Sequence, residues 1–490
     1  MKFKTKKLMG SFLVVLSIFL LVGCVPDDQT DPVDDTPSIN PEGETEITDE
    51  VFLEVLNDIM ENHYTQPTYE QLMEGAINGM FDALDDPHSS YFDYEEYNSF
   101  QSGFEETYVG IGVTVSFTND QIIVESVKDD GPAEDAGILP NDIITSVDGV
   151  STIGEGFYDV INTVLGEEGT DVTIGLSRTG VEHEILLTMT RAVINNSSVN
   201  FTSYSQGGQT IGYIEVTQFG DETADKFSEA IALLELQNID GMVVDLRNNG
   251  GGHLTTVLSM LDEFLVSSND PMFSTAYYVN GELLEQDYFA SGYTPKDYDI
   301  VTLVNENSAS ASEVFASAMQ EQGGYPVIGN VTYGKGTMQT DLVVTATVGD
   351  RLHLSIGQWF TSDGNWVHFN GGSDGVTPDI LVDRSIYEKA YKLFLIDEDP
   401  LVYDTVDDRI ANVQLVLETM GFVVRTDGYF DVNTKAAILT IQNQNDLPLT
   451  GDMDSATLLV INEALDAYKD NANNDTQLIS AINYLTGAND

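Results

Sequence analysis

The sequence predicts a multidomain α/β protein, in which a layered α/β core carries an inserted β-rich domain and is followed by a small helical domain. Three changes in the apolar pattern lead to this fold class. Apolar residues recur at three- and four-residue steps in 51–104, alternate in short strands in 105–192, and form strands that alternate with helices in 193–395. The 490 residues also require several domains, since about 100–200 residues form one.

The N-terminal segment 1–23 has the features of an export signal. It begins with the basic stretch "MKFKTKK" and continues with the apolar run "LMGSFLVVLSIFLLVG". A membrane-spanning anchor is the alternative, but the run is slightly shorter than the roughly 17–25 residues of a span. Residues 24–50 are rich in Pro and Asp, which predicts an acidic, disordered tether. In 51–104, "VFLEVLNDIMENHY" and "YEQLMEGAINGMFDAL" predict amphipathic helices.

The β-rich domain, 105–192, is predicted from short strands such as "QIIVESV" and "VTIGLSR" around one short helix in "GPAEDAGILPND". In the core, strands such as "TIGYIEVTQF" and "GMVVDLRNN" alternate with helices such as "ADKFSEAIALLEL". Residues 396–405 are interpreted as a linker and 406–470 as a helical domain. The last residues, 471–490, are expected to form a frayed tail.

The charge balance excludes one class of partner. Asp and Glu number 81 against 19 Lys and Arg, for a net charge of −62. Nucleic-acid binding requires basic stripes, so no nucleic-acid partner is predicted, and attraction of the folded part to anionic lipid headgroups is disfavoured. No ligand cluster predicts a metal ion or another cofactor. The sole cysteine, Cys24, excludes an internal disulfide.

The stretch "NENSASASEVFASAMQ" has two interpretations. Ser310 and Glu313 fit the S-x-x-E capping box of a helix start. Ser310 also lies where a strand and loop lead into a helix, and a helix N-terminus offers free N–H groups for an oxyanion. The N–H of Ala311 is one candidate donor. The glycines of "DLRNNGGGHL" supply the second candidate, Gly251 or Gly252, although a structural turn explains them nearly as well.

A nucleophilic serine requires a base. His253 is adjacent to the glycines, but no Asp-His-Ser arrangement is evident and a structural role suits it better. Lys335, between two glycines in "GNVTYGKGTMQTDL", is the better candidate if burial keeps its amine neutral; an exposed lysine in a turn is the alternative. Gln339 lies on the same strand face, about 13 Å away along a straight strand, so it reaches Lys335 only if Gly334 and Gly336 let the chain curl.

Four motifs together give a specific resemblance. "LVNENSASASEVFASAMQ", "YGKGTMQ", "VVDLRNNGGGHL" and "LDDPHSSYFDYEEY" resemble the bacterial carboxyl-terminal processing proteases over about 55–395. In that family a serine and a lysine 25 residues later form the catalytic dyad, and a glutamine follows four residues further on. The resemblance implies Ser310, Lys335 and Gln339 for these positions. The chain departs from the common "NNPGG" with "NNGGG", and this departure concerns the glycine donor rather than the dyad.

Three further resemblances concern recognition and location. "YVGIGVTV" and "GPAEDAGILPNDIITSVDG" resemble a PDZ domain, which implies a carboxylate-binding loop of Val109, Gly110, Ile111 and Gly112. "DGYFDVNTKAAILTIQ" and "LPLTGDMDSAT" resemble a three-helix peptidoglycan-binding domain. "LVGC" resembles the bacterial lipobox, which implies cleavage before Cys24 and its lipidation.

The expected function is that of an exported serine endopeptidase, tethered by lipid to the outer face of a bacterial membrane. The expected partners are protein substrates with free C-termini, captured as an added strand, and peptidoglycan. Two alternatives remain: a non-catalytic PDZ and wall-binding scaffold, and a Ser-His-Asp protease with a PDZ domain. The oligomeric state is open, with a homodimer as one alternative.

Overall fold

The computed structural model describes most of the chain beyond residue 46. The described residues are 47–118, 121–128, 131–140, 142–178, 181, 183–279, 281–292, 294–369, 374–393, 395 and 400–488. The expected export signal, Cys24 and most of the expected tether lie outside them.

The chain divides into two compact units, 1–76 and 77–490. The described part of the first unit contains α1 (Asp49–Asn62) and the start of α2 (Tyr69–Asp82), so the helices predicted here are confirmed. The second unit contains the inserted domain, the α/β core and the C-terminal helices.

The inserted domain begins after β1 (Ser90–Phe92), α3 (Tyr94–Ser102) and β2 (Thr107–Gly110). Its elements are β3 (Val113–Thr118), β4 (Gln121–Val127), α4 (Pro132–Ala136), β5 (Ile143–Val147), β6 (Val150–Ser151), α5 (Phe157–Val164), β7 (Asp171–Ser177) and β8 (Ile185–Thr190). The chain leaves through β9 (Ala192–Asn195), which pairs antiparallel with β2. Entry and exit therefore lie side by side.

The α/β core follows the inserted domain. Its elements are β10 (Val199–Gln206), β11 (Gln209–Val216), α6 (Thr223–Glu235), β12 (Gly241–Asp245), α7 (Leu254–Leu261), β13 (Phe273–Val279), β14 (Glu282–Tyr288), β15 (Asp299–Val304), α8 (Ala311–Glu321), β16 (Val327–Gly329), β17 (Thr337–Val343), β18 (Arg351–Thr361) and β19 (Ile380–Leu381). One sheet has the order β10-β11-β12-β15-β16-β19. Only β10 is antiparallel to its neighbour in this described sheet.

The central strands are covered on both faces, which explains their unbroken apolar sequence. Every residue of β12 is buried. Met242 and Val244 pack with α6, α7 and α8 in one apolar cluster, whereas Val243 packs on the opposite face, as the alternation of side chains along a strand requires. The α/β layering predicted from the sequence is confirmed.

A second sheet lies beside the core and has the order β1-β18-β13-β14. Strand β17 pairs with the same long strand β18. Ser90 is opposite His353, and Asp341 is opposite the same residue from the other strand. The segment before the inserted domain and the strand that follows Lys335 therefore lie on opposite sides of β18.

The C-terminal part contains α9 (Asp408–Thr419), α10 (Val432–Gln444), α11 (Ser455–Lys469) and, after a 3₁₀ turn, α12 (Thr476–Thr486). Helices α9, α10 and α11 each begin after an aspartate N-cap, Asp407, Asp431 and Asp454, whose carboxylate accepts N–H groups of the first turn. They share one apolar cluster and form a compact domain.

Helix α12 corrects the expectation of a frayed tail at 471–490. Its apolar residues recur at helical spacing and pack on the core sheet; they are Leu478, Ala481, Ile482 and Leu485, against Ile211, Val243, Val301, Leu303 and Ile328. An isolated helix of 11 residues is marginal in water, so tertiary packing stabilises this one. This helix was not predicted because its few apolar residues are interspersed with polar ones in the sequence.

The C-terminal domain also contacts the inserted domain. Leu139 of the inserted domain belongs to the apolar cluster of α9, α10 and α11. Lys392 lies in the connecting segment, and its Nζ is 2.5 Å from a Glu134 carboxylate oxygen in α4 and 2.9 Å from Asp466 in α11. Three parts of the second unit thus meet at one lysine.

Candidate active site

A cavity of about 1020 Å³ lies between the inserted domain and the α/β core. The predicted catalytic residues all line it: Ser310, Lys335 and Gln339. Gly251, Gly252 and Ala311 also line it. The structure therefore brings together residues that are up to 88 positions apart in the sequence.

Ser310 is the residue before α8 and has an unusual backbone conformation. Its φ is 55° and its ψ is −114°, a region that non-glycine residues rarely adopt and that costs on the order of 1–3 kcal/mol. The N–H of Ala311 has no acceptor among the described residues, and α8 is buried over its first nine residues. A free donor thus lies directly beside the serine at a helix N-terminus.

Glu313 connects the serine to the loop of the lysine. Its carboxyl group is fully buried and accepts hydrogen bonds on both oxygens. One comes from the N–H of Ser310 (2.8 Å), which is the glutamate half of the predicted capping box. The N–H of Glu313 donates to the Ser310 carbonyl (2.9 Å). Ser310 and Glu313 together form the capping box at the start of α8.

The other three donors to Glu313 come from the loop between β16 and β17. They are the hydroxyl of Thr332 (2.6 Å) and the N–H groups of Gly334 (2.6 Å) and Lys335 (2.8 Å). Burial of the carboxyl group raises its pKa, and these hydrogen bonds act in the opposite direction. One side chain thereby fixes the backbone of both Ser310 and Lys335.

Lys335 is half-buried, and its side chain forms no salt bridge with the other described residues. Its carbonyl accepts a hydrogen bond from Trp359 Nε1 (2.8 Å). Burial lowers the pKa of Lys335, although the nearby carboxyl groups of Asp86 and Glu313 oppose this shift. The lysine is therefore more easily neutral than a lysine in water, as a base must be.

The glycine loop after β12 is held against the serine by Asn249. The Asn249 carbonyl accepts from the N–H of Ala309 (3.0 Å) and from Ser312 Oγ (2.8 Å). Gly251 has φ +111°, and a Cβ there would lie 2.9 Å from the Cβ of Ser310. Only glycine fits this close approach.

The two glycine candidates for the oxyanion donor differ in hydrogen bonding. The N–H of Gly251 donates to Asn249 Oδ1 (2.9 Å) and is therefore engaged. The N–H of Gly252 has no acceptor among the described residues, and the backbone φ of Gly252 is +142°. Of these two candidates, Gly252 is therefore the one whose N–H is left for a ligand.

Gln339 lines the cavity but is held by residues other than Lys335. Its Nε2 donates to Ser355 Oγ (2.9 Å) and to Thr337 Oγ1 (3.2 Å). The pairing of β17 with β18 shifts between Met338 and Gln339, which is a bulge. The strand deviates from a straight path at this bulge, which lies beyond the two glycines where a curl was considered.

His253 also lines the cavity, where it pairs with a different partner. Its Nδ1 is 2.9 Å from Asp221 Oδ1, and its ring lies 5.1 Å from that of Phe104. No hydrogen bond joins it to Ser310 in the described part of the chain. These contacts support a structural role for His253 rather than a role as the base for Ser310.

Sequence reasoning assigned no role to the residues before β1. The Asp86 carboxylate accepts a hydrogen bond from Ser89 Oγ (2.6 Å). Burial raises the pKa of Asp86, but hydrogen bonds from Ser89 and Ser355 lower it, and the net pKa is lowered. Burial and then the charge of Lys335 lower the pKa of His88 to about 4. Asp86 and His88 therefore belong to the electrostatic surroundings of Lys335. The motif "LDDPHSSY" was the only signal of this.

The predicted carboxylate loop is split between two environments. Val109 and Gly110 are in β2 and pair with Val193 and Ala192 of β9. Ile111 and Gly112 line the cavity instead, and the Ile111 carbonyl accepts the N–H of Ala133 at the start of α4 (2.8 Å). The cavity thus extends from this loop to Ser310.

Comparison with known proteins identifies the family. The carboxy-terminal processing protease CtpB of Bacillus subtilis strain 168 is 33% identical over 435 residues, which are 88% of each chain. The chain belongs to the carboxy-terminal processing proteases. CtpA of the same organism is 32% identical over 434 residues, covering 87% of this chain and 88% of CtpA.

The family also matches region by region. Residues 210–382 match peptidase family S41, and 123–178 match the PDZ domain. Residues 28–96 match the activating protease CtpB N-terminal domain, and 406–461 match a putative peptidoglycan binding domain. The protein is therefore a C-terminal processing serine-type peptidase with a PDZ domain.

A solved structure shares the fold. The photosystem II D1 C-terminal processing protease has a TM-score of 0.50 and 24% identity, and the match covers 69% of this chain and 94% of that chain. Among the described residues, no helix has the length and apolar character to cross a membrane, and no cluster of His, Cys, Asp or Glu is arranged to hold a metal ion.

Glu313→Ala is expected to destabilise the protein and inactivate it. The change leaves up to four donors without their acceptor, and each buried unsatisfied donor costs about 1–3 kcal/mol. We expect the free energy of unfolding in urea to fall by about 3 kcal/mol or more. Glu306→Ala is the matched control, since Glu306 is exposed in the preceding loop. Equal stability of the two variants would contradict the role of Glu313.

Proposed function

We propose that this peptidase cuts peptide bonds with a Ser310–Lys335 dyad through an acyl-enzyme. The observation that carries the proposal is the shared anchoring of both residues on Glu313, at the wall of one cavity. The lowered pKa of Lys335 supports its role as the base. Membership of the family supports peptidase chemistry, in preference to a non-catalytic scaffold.

In this mechanism Ser310 Oγ attacks the carbonyl carbon of the scissile bond while Lys335 Nζ accepts the hydroxyl proton. The negative charge on the carbonyl oxygen is stabilised by two N–H groups, that of Ala311 at the N-terminus of α8 and that of Gly252 in the loop after β12. Lys335 then passes its proton to the leaving amine, and a water molecule, deprotonated by the same lysine, releases the acyl group. Gln339 shapes the cavity wall through its bonds to Thr337 and Ser355.

The PDZ domain is proposed to bind the free C-terminus of the substrate. Ile111 and Gly112 line the cavity at its PDZ end, and the same cavity reaches Ser310 and Lys335. A peptide added as a strand beside β3 would have its carboxylate at this loop, with main-chain hydrogen bonds supplying affinity. The continuous cavity supports transfer of the chain from recognition to cleavage.

The location is proposed from the N-terminal sequence. A cysteine at the end of the apolar run, in "LVGC", supports cleavage before Cys24 and lipidation of its thiol. The tether and the C-terminal domain would then hold the enzyme between the outer face of a membrane and the peptidoglycan, which the match at 406–461 supports.

The dyad predicts that three variants lose turnover. Ser310→Ala and Lys335→Met should fold but lose essentially all turnover of a C-terminal peptide, since a serine without its base is a weak nucleophile. Lys335→Arg should not restore activity, because a guanidinium stays protonated. Wild-type turnover should rise with pH through a midpoint below 10.5, as the buried lysine loses its proton.

Single-turnover cleavage by each purified variant, with folding checked by calorimetry, provides the measurement. Lys389→Met is the control for loss of a lysine outside the cavity. Wild-type rates in folded Ser310→Ala or Lys335→Arg would overturn the dyad.

Recognition of a carboxylate predicts a preference for free C-termini. A peptide with an amidated C-terminus should bind more weakly and be cut more slowly than the same peptide with a free carboxylate, because the charge that the loop at Ile111 and Gly112 would bind is absent. Titration calorimetry and cleavage rates on the peptide pair measure this. Equal values for both peptides would exclude carboxylate capture while leaving the dyad intact.

Lipidation predicts that Cys24→Ala releases the protein from the membrane. Cys24 is the only cysteine of the chain, so its loss should remove the lipid attachment site. Stable anchoring by lipid requires more than one acyl chain, or an acyl chain with a second signal. Fractionation of cells that express either form is the measurement, with Ser17→Ala as a control within the apolar run. A variant as membrane-bound as the wild type would favour an uncleaved helix.

A further inference from the structure

The start of α12 meets the catalytic loops at Arg247. The guanidinium donates from Nη1 and Nη2 to the two carboxylate oxygens of Asp475 (2.9 and 2.7 Å). Its Nη1 also donates to Gln477 Oε1 (3.2 Å), and its Nε and Nη2 donate to Asp245 at the end of β12. Arg247 therefore bridges the core sheet to the last helix of the chain.

These charges are largely removed from water. The Arg247 side chain is 13% exposed and that of Asp245 is 3% exposed, while Asp475 is 21% exposed. Buried charges of this kind require partners, because an unpaired one is strongly unfavourable. A planar guanidinium that forms two paired contacts also fixes orientation, which a single contact does not.

The residues on both sides of Arg247 contact the serine loop. The carbonyl of Leu246 accepts from Ser308 Oγ (2.8 Å), and the N–H of Asn248 donates to Asn305 Oδ1 (2.9 Å). The next residue, Asn249, holds the N–H of Ala309 and Ser312 Oγ. A shift of Arg247 would therefore move the segment that leads to Gly251 and Gly252.

Gln477 connects α12 to the lysine loop as well. Its Nε2 donates to Asn330 Oδ1 (2.8 Å) and to the carbonyl of Val382 (2.8 Å), and its side chain is fully buried. Asn330 lies at the start of the segment that ends in Lys335. One amide thus contacts the glycine loop through its oxygen and the lysine segment through its nitrogen.

We propose that Asp475 and Gln477 are positioning residues of the peptidase, which set the glycine loop and the lysine segment in their catalytic arrangement through Arg247 and Asn330. The proposal rests on the dyad and on the backbone donor of the glycine loop. Neither residue lines the cavity that contains Ser310 and Lys335. Helix α12 in this way contributes to the catalytic arrangement in addition to covering the apolar face of the core sheet.

Packing of α12 is a separate contribution and can be tested separately. Leu485, near the end of the helix, packs on the sheet and lies ten positions beyond Asp475 in the sequence. Asp475 also accepts the N–H of Leu478 as the N-cap of α12 (2.9 Å). Asparagine is an equally good N-cap, so Asp475→Asn removes the negative charge that pairs with Arg247 while keeping the start of the helix.

The experiment compares kcat and KM for a C-terminal peptide in the full-length variants Asp475→Asn, Gln477→Met, Leu485→Ala and Asp470→Asn. Asp470 is exposed at the end of α11 and controls for the loss of one acidic charge. We expect kcat to fall about tenfold in the first two variants at unchanged KM, since a small misplacement of catalytic groups is enough for such a loss. Leu485→Ala, assayed at a temperature where calorimetry shows it folded, should keep its kcat.

A second readout uses a peptide aldehyde, which forms a tetrahedral adduct with a nucleophilic serine and places an oxygen at the backbone donors. Its inhibition constant should rise about tenfold in Asp475→Asn and Gln477→Met, in parallel with the fall in kcat. Values of kcat within twofold of Asp470→Asn in both variants, or an equal fall in Leu485→Ala, would overturn the proposal. Activity that survives in Ser310→Ala would instead overturn the dyad, so the two failures are distinct.

Discussion

The carboxyl group of Glu313 is the point on which the catalytic arrangement depends. It is fully buried at the first turn of α8, where it satisfies four donors from two segments of the chain. A buried carboxyl group without hydrogen bonds is strongly unfavourable, so the folded core requires the loop before β17 to close against α8. The relative placement of Ser310 and Lys335 follows from satisfying this one group.

This arrangement sets two electrostatic requirements against each other. A lysine acts as a base only if its charged form is disfavoured, which burial achieves, but the carboxyl groups of Asp86 and Glu313 stabilise that charged form. Burial is the larger effect on Lys335, so its pKa is lowered despite the two carboxyl groups.

Features that depend on local sequence spacing were predicted better than features that depend on contacts between distant residues. Apolar periodicity predicted the α/β layers and the inserted domain, because buried strands and amphipathic helices have distinct spacings. Helix α12 was missed because its packing comes from the distant strands β11, β12 and β15. The hydrogen bond that engages Gly251, the roles of Asp86 and His88, and the contacts of Gln339 with Ser355 also depend on side chains distant in sequence. No spacing rule encodes such contacts.

The C-terminal domain leaves the core after β19 and returns to it at α12. It is thus an insertion with two covalent connections, at 382–407 and 470–475. One proteolytic nick in either connection leaves the domain attached through the other, so release requires two cuts. Exchange of this domain between relatives would likewise have to preserve two junctions, whose separation is set by the distance from the end of β19 to the start of α12.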